Sequence, residues 1–199
     1  MKKYDYIETL TDEMVKTRAE ARKLTKEYFF LDHNDHEKKY EILKKLFGSV
    51  GKNVAIDTKI HCDFGKNTFI GDDVVMGANC TLIDNEKITI GNKVLIAPNL
   101  QIYTAFHPIL PEERTLEENT DDGKIFFNTC AAPVTIEDGV WTGGGVIILP
   151  GVTIGKNSVI GAGSVVTKDI PPNCVAVGNP CRPIKFFDDI REKEKCTNI

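Results

Sequence analysis

The pattern of apolar and polar positions changes near residue 50. Residues 4–47 are highly charged, contain no Gly or Pro, and place apolar side chains three and four residues apart, which is typical of one face of a helix. We predict two helices joined near residues 32–35. Thr11 and either Asn34 or Asp35 are the expected N-caps, because their side chains can accept hydrogen bonds from unpaired N–H groups of a first helical turn.

A six-residue period replaces the helical spacing from residue 50 onward. Each unit opens with a mostly aliphatic residue, often continues with Gly or a small polar residue, and has a small or β-branched residue in its fifth place. The period is lost across residues 103–135 and then runs without a break from residue 136 to 171. The first group of units reads VGKNVA, IDTKIH, FGKNTF, IGDDVV, MGANCT, IGNKVL and IAPNLQ, and the second reads IEDGVW, TGGGVI, ILPGVT, IGKNSV, IGAGSV and VTKDIP.

This period predicts a parallel β-helix. If each unit forms one short strand and a tight corner, three units close one triangular coil, and the aliphatic residues of successive coils stack on each other. Glycines such as Gly71, Gly91 and Gly155 are expected at corners because glycine tolerates backbone conformations that other residues avoid. A β-sandwich is the alternative, but its turns recur every ~8–12 residues and its strands show no fixed aliphatic position. The expected class is therefore all-β.

Composition narrows the possible functions. The chain has 199 residues and a net charge of −4, with 25 Lys+Arg against 29 Asp+Glu, so it lacks the dense basic face that binds nucleic-acid phosphates. No stretch approaches the ~20 apolar residues of a membrane span. Six cysteines are scattered without a Cys-x-x-Cys pair, which indicates reduced thiols in a cytoplasmic protein. We therefore expect neither a nucleic acid nor a membrane as a partner.

The interruption of the repeat, residues 103–135, contains the candidate catalytic residue. Loops of this length inside a compact repeat are more often functional than accidental. His107 lies near its start, whereas His33 and His36 fall in the charged helical segment and His61 lies within an early repeat. An imidazole can take a proton from a hydroxyl as that oxygen attacks a carbonyl, so His107 is a candidate general base for acyl transfer. The chain contains neither a Gly-x-Ser-x-Gly elbow nor a P-loop.

Four longer segments carry a family resemblance. They read FGSVGKN (47–53), CDFGKN (62–67), IDNEKITIGNKVLIAPNLQIYTAFHP (83–108) and VWTGGGVIILPGVTIGKNSVIGAGSVVTKDIPPNCVAVGNPCRPIK (140–185). Together they resemble the maltose and galactoside O-acetyltransferases, a branch of the hexapeptide-repeat acyltransferases that includes nodulation acetyltransferases. The resemblance implies an enzyme that uses acetyl-coenzyme A as cosubstrate, requires no metal, and forms a homotrimer with active sites between subunits. It also implies that His107 of the T-x-x-His-Pro segment is the general base.

The expected architecture has three parts. Residues 1–48 form an N-terminal helical segment, and residues 49–185 form the β-helix with a long catalytic loop at 103–135. The family resemblance implies that this parallel β-helix is left-handed. Residues 186–199 are a tail that we expect to form a short C-terminal helix over the last coil, because such a cap keeps an exposed strand edge from pairing with other chains.

The resemblance also implies acceptor-binding residues in the helical segment and on the coils before the loop. These residues are Asp12, Asp63, Asn79, Asp84 and Asn85. For Asp63 and Asp84, the alternative is a corner residue that caps its own backbone. Two departures from the family pattern concern the identity of the sugar. Residues 77–79 read Gly-Ala-Asn where relatives often have Asn-x-Asn, and the segment FFNTCAAP (126–133) is longer than expected.

The residues expected to bind the cofactor follow the loop. Residues 143–145 are three consecutive glycines, which would expose bare backbone to an extended pantetheine arm, although purely structural glycines are the alternative. The resemblance implies that the groove for acetyl-coenzyme A is lined by Gly144, Ala162, Thr167, Lys168, Arg182 and Lys185. The three cations suit the phosphates of the nucleotide end. Trp141 either walls the acceptor site or packs against a neighbouring subunit.

These observations favour an acetyl-coenzyme A-dependent O-acetyltransferase that acts by direct attack of a sugar hydroxyl, with maltose, glucose and galactosides as possible acceptors. Backbone N–H groups near the coil edge would hold the oxyanion. Three alternatives are left open at this point. They are a non-catalytic β-helix scaffold, an acetyltransferase for a non-sugar hydroxyl or an amine, and a γ-type carbonic anhydrase, which needs three histidines on zinc.

Overall fold

Two helices precede the repeat. The computed structural model describes residues 4–32, 34–116 and 126–190. Helix α1 spans Asp12–Phe30 and helix α2 spans His36–Leu46. The two helices pack against each other and against the first coil of the repeat. Their contact buries Ala21, Leu24, Tyr28, Ile42, Leu43 and Leu46.

The helix starts follow the sequence prediction in part. Thr11 caps α1 as predicted, because its hydroxyl oxygen accepts a hydrogen bond from the Met14 N–H at 3.3 Å. Asp12 and Glu13 follow in the first turn, where carboxylates interact favourably with the positive end of the helix. Asp35 occupies the N-cap position of α2, but its side chain makes no capping hydrogen bond to a described residue.

The repeat forms a parallel β-helix with three sheets, as predicted; its strands are numbered here in chain order. The first sheet contains β1 Ser49–Val50, β4 Thr68–Ile70, β7 Ile88–Ile90, β12 Val134–Ile136 and β15 Thr153–Ile154. The second contains β2 Ala55–Ile56, β5 Val75–Met76, β8 Leu95–Ile96, β13 Trp141–Thr142, β16 Val159–Ile160, β18 Cys174–Val177 and β19 Arg182–Phe186. The third contains β3 His61–Cys62, β6 Thr81–Ile83, β9 Gln101–Tyr103, β14 Ile147–Ile148 and β17 Val165–Val166. Neighbouring strands in each sheet are parallel except β18 and β19.

The first residues of the six-residue units fill the inside of the β-helix. In the first sheet, Ile70, Ile90, Ile136 and Ile154 are direct partners on successive coils. Each of these four side chains is at most 3% exposed. Burial of apolar surface contributes roughly 25 cal/mol per Å², so a column of this kind stabilises every coil against its neighbours.

Each coil turns at three corners, which we name by the sheets they join. The first corner leads from the first sheet to the second, the second corner from the second to the third, and the third corner from the third to the first. At the first corner and again at the second corner, each coil has one residue with a left-handed φ. Examples from the second corner are Asn79, with a φ of 59°, and Gly145, with a φ of 69°. These residues occupy the fourth place of their units, and several are asparagines, which tolerate this region better than most residues.

The role predicted for the second-place glycines is wrong. Gly71 and Gly155 do not have a left-handed φ. A Cβ on Gly71 would lie 2.8 Å from the carbonyl carbon of Gly91, and a Cβ on Gly155 would lie 2.5 Å from the nitrogen of Pro172. Glycine is therefore required at these positions because the backbones of successive coils approach too closely for a side chain.

The loop that interrupts the repeat leaves at the third corner. It contains strand β10 (Ala105–Phe106), the one-turn helix α3 (Pro111–Arg114) and strand β11 (Cys130–Ala131). Strands β10 and β11 are antiparallel and form a two-stranded ribbon. At the base of the loop, the Ala132 N–H donates to the Thr104 carbonyl at 2.9 Å. The two ends of the loop therefore leave and rejoin the coil side by side.

The C-terminal part of the chain covers the last coil. Strand β19 turns back and pairs antiparallel with β18 at the edge of the second sheet, and residues 187–190 are helical. The rest of the predicted tail lies outside the described residues. Five cysteines are buried free thiols, in agreement with the prediction of reduced cysteines; Cys196 also lies outside the described residues. Over the described ranges, none of the helices has the length and apolar character needed to cross a membrane.

Candidate active site

His107 lies directly after β10 with its side chain exposed. Its Nδ1 lies 2.8 Å from the backbone carbonyl oxygen of Asn128. Because a carbonyl oxygen can only accept, Nδ1 must carry the hydrogen, and the lone pair of the neutral ring is then on Nε2. The rings of His107 and Phe127 also pack nearly perpendicular to each other, with ring centroids 4.9 Å apart. The structure thus presents one oriented, exposed basic nitrogen on the loop.

The chain before α1 supports this loop from outside. Tyr6 forms an antiparallel bridge with Cys130, and the Ile7 N–H donates to the Thr129 carbonyl at 2.8 Å. The ring of Tyr4 packs edge-on against Phe106, with centroids 5.0 Å apart. These contacts add a third extended segment to the β10–β11 ribbon, so the N-terminal residues help to position the segment that holds His107.

The acceptor candidate Asp63 forms an ion pair with α1. Its carboxylate lies 3.7 Å from Arg18 Nε, and both side chains are mostly buried. The Arg18 guanidinium also lies over the Phe64 ring, 4.9 Å from its centroid. Asp12 is on the same helix, in its exposed first turn. Asp63 therefore interacts with the helical segment and does not cap its own backbone.

The acceptor candidate Asp84 is completely buried at the third corner, with 0% of its surface exposed. One carboxylate oxygen accepts from the Phe64 N–H at 2.8 Å, and the other accepts from the Thr68 hydroxyl at 3.4 Å. Burial raises the pKa of Asp84 to about 6, although the hydrogen bond from Phe64 acts in the opposite direction. Asp84 thus joins two coils, and its half-buried neighbour Asn85 lies closer to solvent.

Asn79, Gly144 and Ala162 lie together at the second corner, on coils before and after the loop. The Gly163 N–H donates to the Gly144 carbonyl at 2.9 Å, which holds two of these coils in register. Within the described part of the chain, no group accepts a hydrogen bond from the N–H of Gly144 or Ala162. The second corner therefore offers two unpaired backbone donors to a ligand.

The structural reason for glycine differs among the three consecutive positions 143–145. A Cβ on Gly143 would lie 2.6 Å from the nitrogen of Ala162, so close stacking of the coils requires glycine there. Gly145 has a φ of 69°, which favours glycine. A Cβ on Gly144 would meet only the Pro98 carbonyl oxygen, at an ordinary contact distance of 3.5 Å. The fold by itself therefore does not explain glycine at position 144.

The remaining cofactor candidates occupy two parts of the surface. Thr167 and the exposed Lys168 follow β17 at the third corner. Arg182 and Lys185 are exposed on β19, at the outer edge of the second sheet. Arg182 donates from Nη1 to the Cys181 carbonyl at 2.7 Å, and its other guanidinium N–H groups have no acceptor among the described residues.

Trp141 lies on the outer face of the second sheet and is 50% exposed. Its direct neighbours on that face are Leu95 and Val159, and Val75 follows Leu95. Leu95 and Val75 are 51% and 49% exposed. Trp141 is thus part of an apolar row that crosses several coils.

Apart from Asp12 in the first turn of α1, the predicted site residues fall into two groups within one chain. His107, Asp84, Asn85 and Thr167 lie at or near the third corner, together with Asp63, Lys168 and the loop. Asn79, Gly144 and Ala162 lie at the second corner, and Trp141, Arg182 and Lys185 lie on the second sheet beside it. The third sheet separates the two corners, so a single chain does not bring the two groups together.

Several residues that interact with the predicted site were not predicted from the sequence. Asn128 orients His107 through its backbone carbonyl, and Arg18 pairs with Asp63. Arg114 donates a hydrogen bond to the backbone of the loop just after His107. Only Asn128 had a signal, because it lies in the segment FFNTCAAP that is longer than expected. Within the described ranges, no group of three His, Cys, Asp or Glu side chains is arranged to hold a metal ion.

Three family models match this chain. The maltose acetyltransferase hexapeptide capping motif matches residues 5–51, which contain the two helices. The hexapeptide repeat of succinyl-transferase matches residues 65–104, before the loop. The bacterial transferase hexapeptide model matches residues 133–168, after the loop. The matched ranges thus follow the division of the structure into helical segment, first coils and last coils.

Individual relatives extend this similarity over nearly the full length. The chain is 40% identical to the galactoside O-acetyltransferase of Escherichia coli K12 over 172 residues, which are 86% of this chain and 80% of that protein. It is 47% identical to the crystal structure of a maltose O-acetyltransferase from Clostridium difficile 630, with a TM-score of 0.83 and 92% of both chains covered. It is 35% identical to a galactoside acetyltransferase solved in complex with coenzyme A, with a TM-score of 0.84 and 94% of this chain and 89% of the other covered. The chain therefore belongs to the maltose and galactoside O-acetyltransferase family of hexapeptide-repeat enzymes, and it is an acetyltransferase that uses acetyl-coenzyme A.

Proposed function

We propose that this acetyltransferase transfers the acetyl group of acetyl-coenzyme A to a hydroxyl of a sugar, with His107 as the general base. The observation that carries the proposal is the hydrogen bond of 2.8 Å between His107 Nδ1 and the Asn128 carbonyl, which leaves Nε2 as the basic atom. Relatives named galactoside and maltose O-acetyltransferase support a sugar as the acceptor.

The reaction is a direct transfer without an acyl-enzyme. Nε2 of His107 takes the proton of the acceptor hydroxyl while that oxygen attacks the carbonyl carbon of the acetyl thioester. The new C–O bond forms, the C–S bond breaks, and the proton on His107 passes to the departing coenzyme A sulfur. Backbone N–H groups at the coil edge would stabilise the negative charge on the carbonyl oxygen.

We propose a homotrimer in which the site is completed between subunits. The second corner of one subunit and the third corner with its loop from a neighbour would together contain both groups of predicted residues. The exposed apolar row of Val75, Leu95 and Trp141 supports association through the second sheet, because such rows are rarely left in contact with water. The buried free cysteines suit the reducing cytoplasm, where we propose that the enzyme works.

Thiol release with a panel of acceptors tests the proposed reaction. The panel contains maltose, glucose, a galactoside, a non-sugar alcohol and an amine, each with acetyl-coenzyme A. We expect release of free thiol that depends on the concentration of at least one sugar, with formation of an O-acetyl ester. Faster release with the amine or the non-sugar alcohol than with every sugar would contradict the proposed acceptor class.

Substitution of Gly144 tests where acetyl-coenzyme A binds. Gly144→Ala should weaken coenzyme A binding about 10-fold or more, because an added methyl in a close contact costs ~1–3 kcal/mol. Its stability should change little, since the new Cβ meets only the Pro98 carbonyl oxygen at 3.5 Å. Isothermal titration calorimetry with coenzyme A measures the affinity.

Gly143→Ala is the matched control for this measurement. Its Cβ would lie 2.6 Å from the nitrogen of Ala162, so this variant should lose stability by separating two coils. Gly144→Ala should thus lower the coenzyme A affinity, whereas Gly143→Ala should lower the free energy of unfolding. Unchanged coenzyme A affinity in Gly144→Ala would show that the cofactor does not lie against this corner.

A further inference from the structure

We infer that Arg114 is a positioning residue for His107, an inference that rests on the proposed role of His107 as the base. Arg114 is the last residue of α3 and is half-buried. Its Nη1 donates to the carbonyl oxygens of Pro108 at 3.3 Å and Ile109 at 3.1 Å. These are the two residues that directly follow His107 in the chain.

Arg114 also holds the opposite side of the loop. Its backbone carbonyl accepts a hydrogen bond from the Asn128 N–H at 2.7 Å. The side-chain amide of Asn128 donates to the Glu113 carbonyl at 2.9 Å, next to Arg114 in the chain. Asn128 in turn accepts the Nδ1 hydrogen of His107 at 2.8 Å.

These hydrogen bonds close a ring around the base. The ring runs from His107 to Asn128, from Asn128 to Arg114, and from the Arg114 guanidinium back to the turn after His107. Among the residues of this ring, Arg114 is the one that contacts both the turn after the imidazole and the residue that orients it. Loss of its side chain would leave Asn128 in place but release the turn that positions the His107 backbone.

The chemistry of arginine suits this position. Both acceptors are neutral carbonyl oxygens on consecutive residues, and one guanidinium nitrogen reaches them both. The planar group has several N–H donors in a fixed arrangement, whereas lysine has a single compact ammonium group on a flexible stem. Lysine should therefore restore the hydrogen bonds only in part. A displacement of about 1 Å at a reacting group can cost on the order of 100-fold in rate.

The first test measures the protonation pattern of His107 and the rate together. We expect Arg114→Met to lower kcat by roughly 10- to 100-fold, with little change in the affinity for coenzyme A, and Arg114→Lys to recover part of the loss. In protein with ¹⁵N-labelled histidine, the His107 signal should move from the Nδ1–H form toward the Nε2–H form that predominates in free histidine. Arg22→Met, on the exposed surface of α1, is the matched control and should change neither quantity.

A double variant separates positioning from general stabilisation. If Arg114 acts through His107, adding Arg114→Met to His107→Ala should cause no further loss of the residual rate. The inference would be overturned if Arg114→Met lowered the rate of His107→Ala by the same factor as it lowers the wild-type rate. It would also be overturned if the His107 tautomer were unchanged in Arg114→Met. The tautomer is measured without turnover, so it also tells the two proposals apart. A wild-type protein that acetylates no hydroxyl would refute the proposed function, whereas the tautomer result alone would decide whether Arg114 orients the ring.

Discussion

Replacing His107 by alanine is expected to lower turnover by ~10²- to 10⁴-fold, which is the usual contribution of a general base. The Nδ1 hydrogen bond to the Asn128 carbonyl fixes the ring, so the substitution removes an oriented base and not a freely rotating side chain. Affinity for acetyl-coenzyme A should change little, because a general base acts on the acceptor hydroxyl in the transition state, so its loss lowers the rate and not the binding of the cofactor. Steady-state rates of thiol release and calorimetric binding of coenzyme A measure the two quantities separately.

His36→Ala is the control for this experiment. His36 is an exposed histidine at the start of α2, and nothing in the proposed reaction involves it. It should retain wild-type turnover. Near-normal turnover in His107→Ala would eliminate the proposed mechanism, since no other group at the loop has been assigned the role of base.

The contribution of Asp84 to the stability of the protein is expected to fall as the pH rises from about 4 to about 6. Burial raises its pKa from 3.8 to about 6 in the folded protein. Below pH 4 the carboxyl is protonated in both the folded and the unfolded chain, so it imposes no penalty. As the pH rises, the unfolded chain ionises first, and above pH 6 the folded protein must hold a buried carboxylate. The difference between these two pKa values corresponds to about 3 kcal/mol of stability that is present at low pH and lost at neutral pH.

Asp84→Asn isolates this effect from all other titrating groups. The amide oxygen can still accept from the Phe64 N–H, and the amide nitrogen can donate to the Thr68 hydroxyl. The variant should therefore gain stability relative to the wild type as the pH rises from 4 to 7. Denaturant unfolding at a fixed protein concentration at several pH values measures the difference. A difference that stays constant across this range would contradict the raised pKa.

Much of the fold could be predicted because its period is short and regular. Each unit of six residues repeats an inward aliphatic position, and a side chain such as Ile90 stacks on equivalent residues one coil away. Local sequence is therefore enough to assign strands and core. The same regularity led to the wrong role for Gly71. The sequence shows that glycine recurs, but it does not show whether glycine is needed for a left-handed φ or for close packing of the coils. That distinction depends on atoms of the next coil, about 20 residues away in the chain.

The candidate site could be predicted only in part. His107 was identifiable from its place in the interrupted repeat and from the family resemblance. The residue that orients it, Asn128, acts through its backbone carbonyl, which every residue has, so only its place in the segment FFNTCAAP pointed to it. Arg18 acts through a contact with Asp63, which is distant in the chain, and Arg114 acts through hydrogen bonds that form only when the loop folds back on the turn after His107. The roles of Asp63 and Asp84 as sugar ligands remain predictions.

The sequence alone determined the β-helix, the position of its interruption and the histidine placed there, because each of these follows from a local pattern. Tertiary structure decided which nitrogen of His107 is basic, why Gly144 differs from Gly143, and that Asp84 is buried between coils. It also showed that one chain separates the predicted residues between two corners. These properties arise from distances between segments that are far apart in the chain, and such distances are set only when the coils stack.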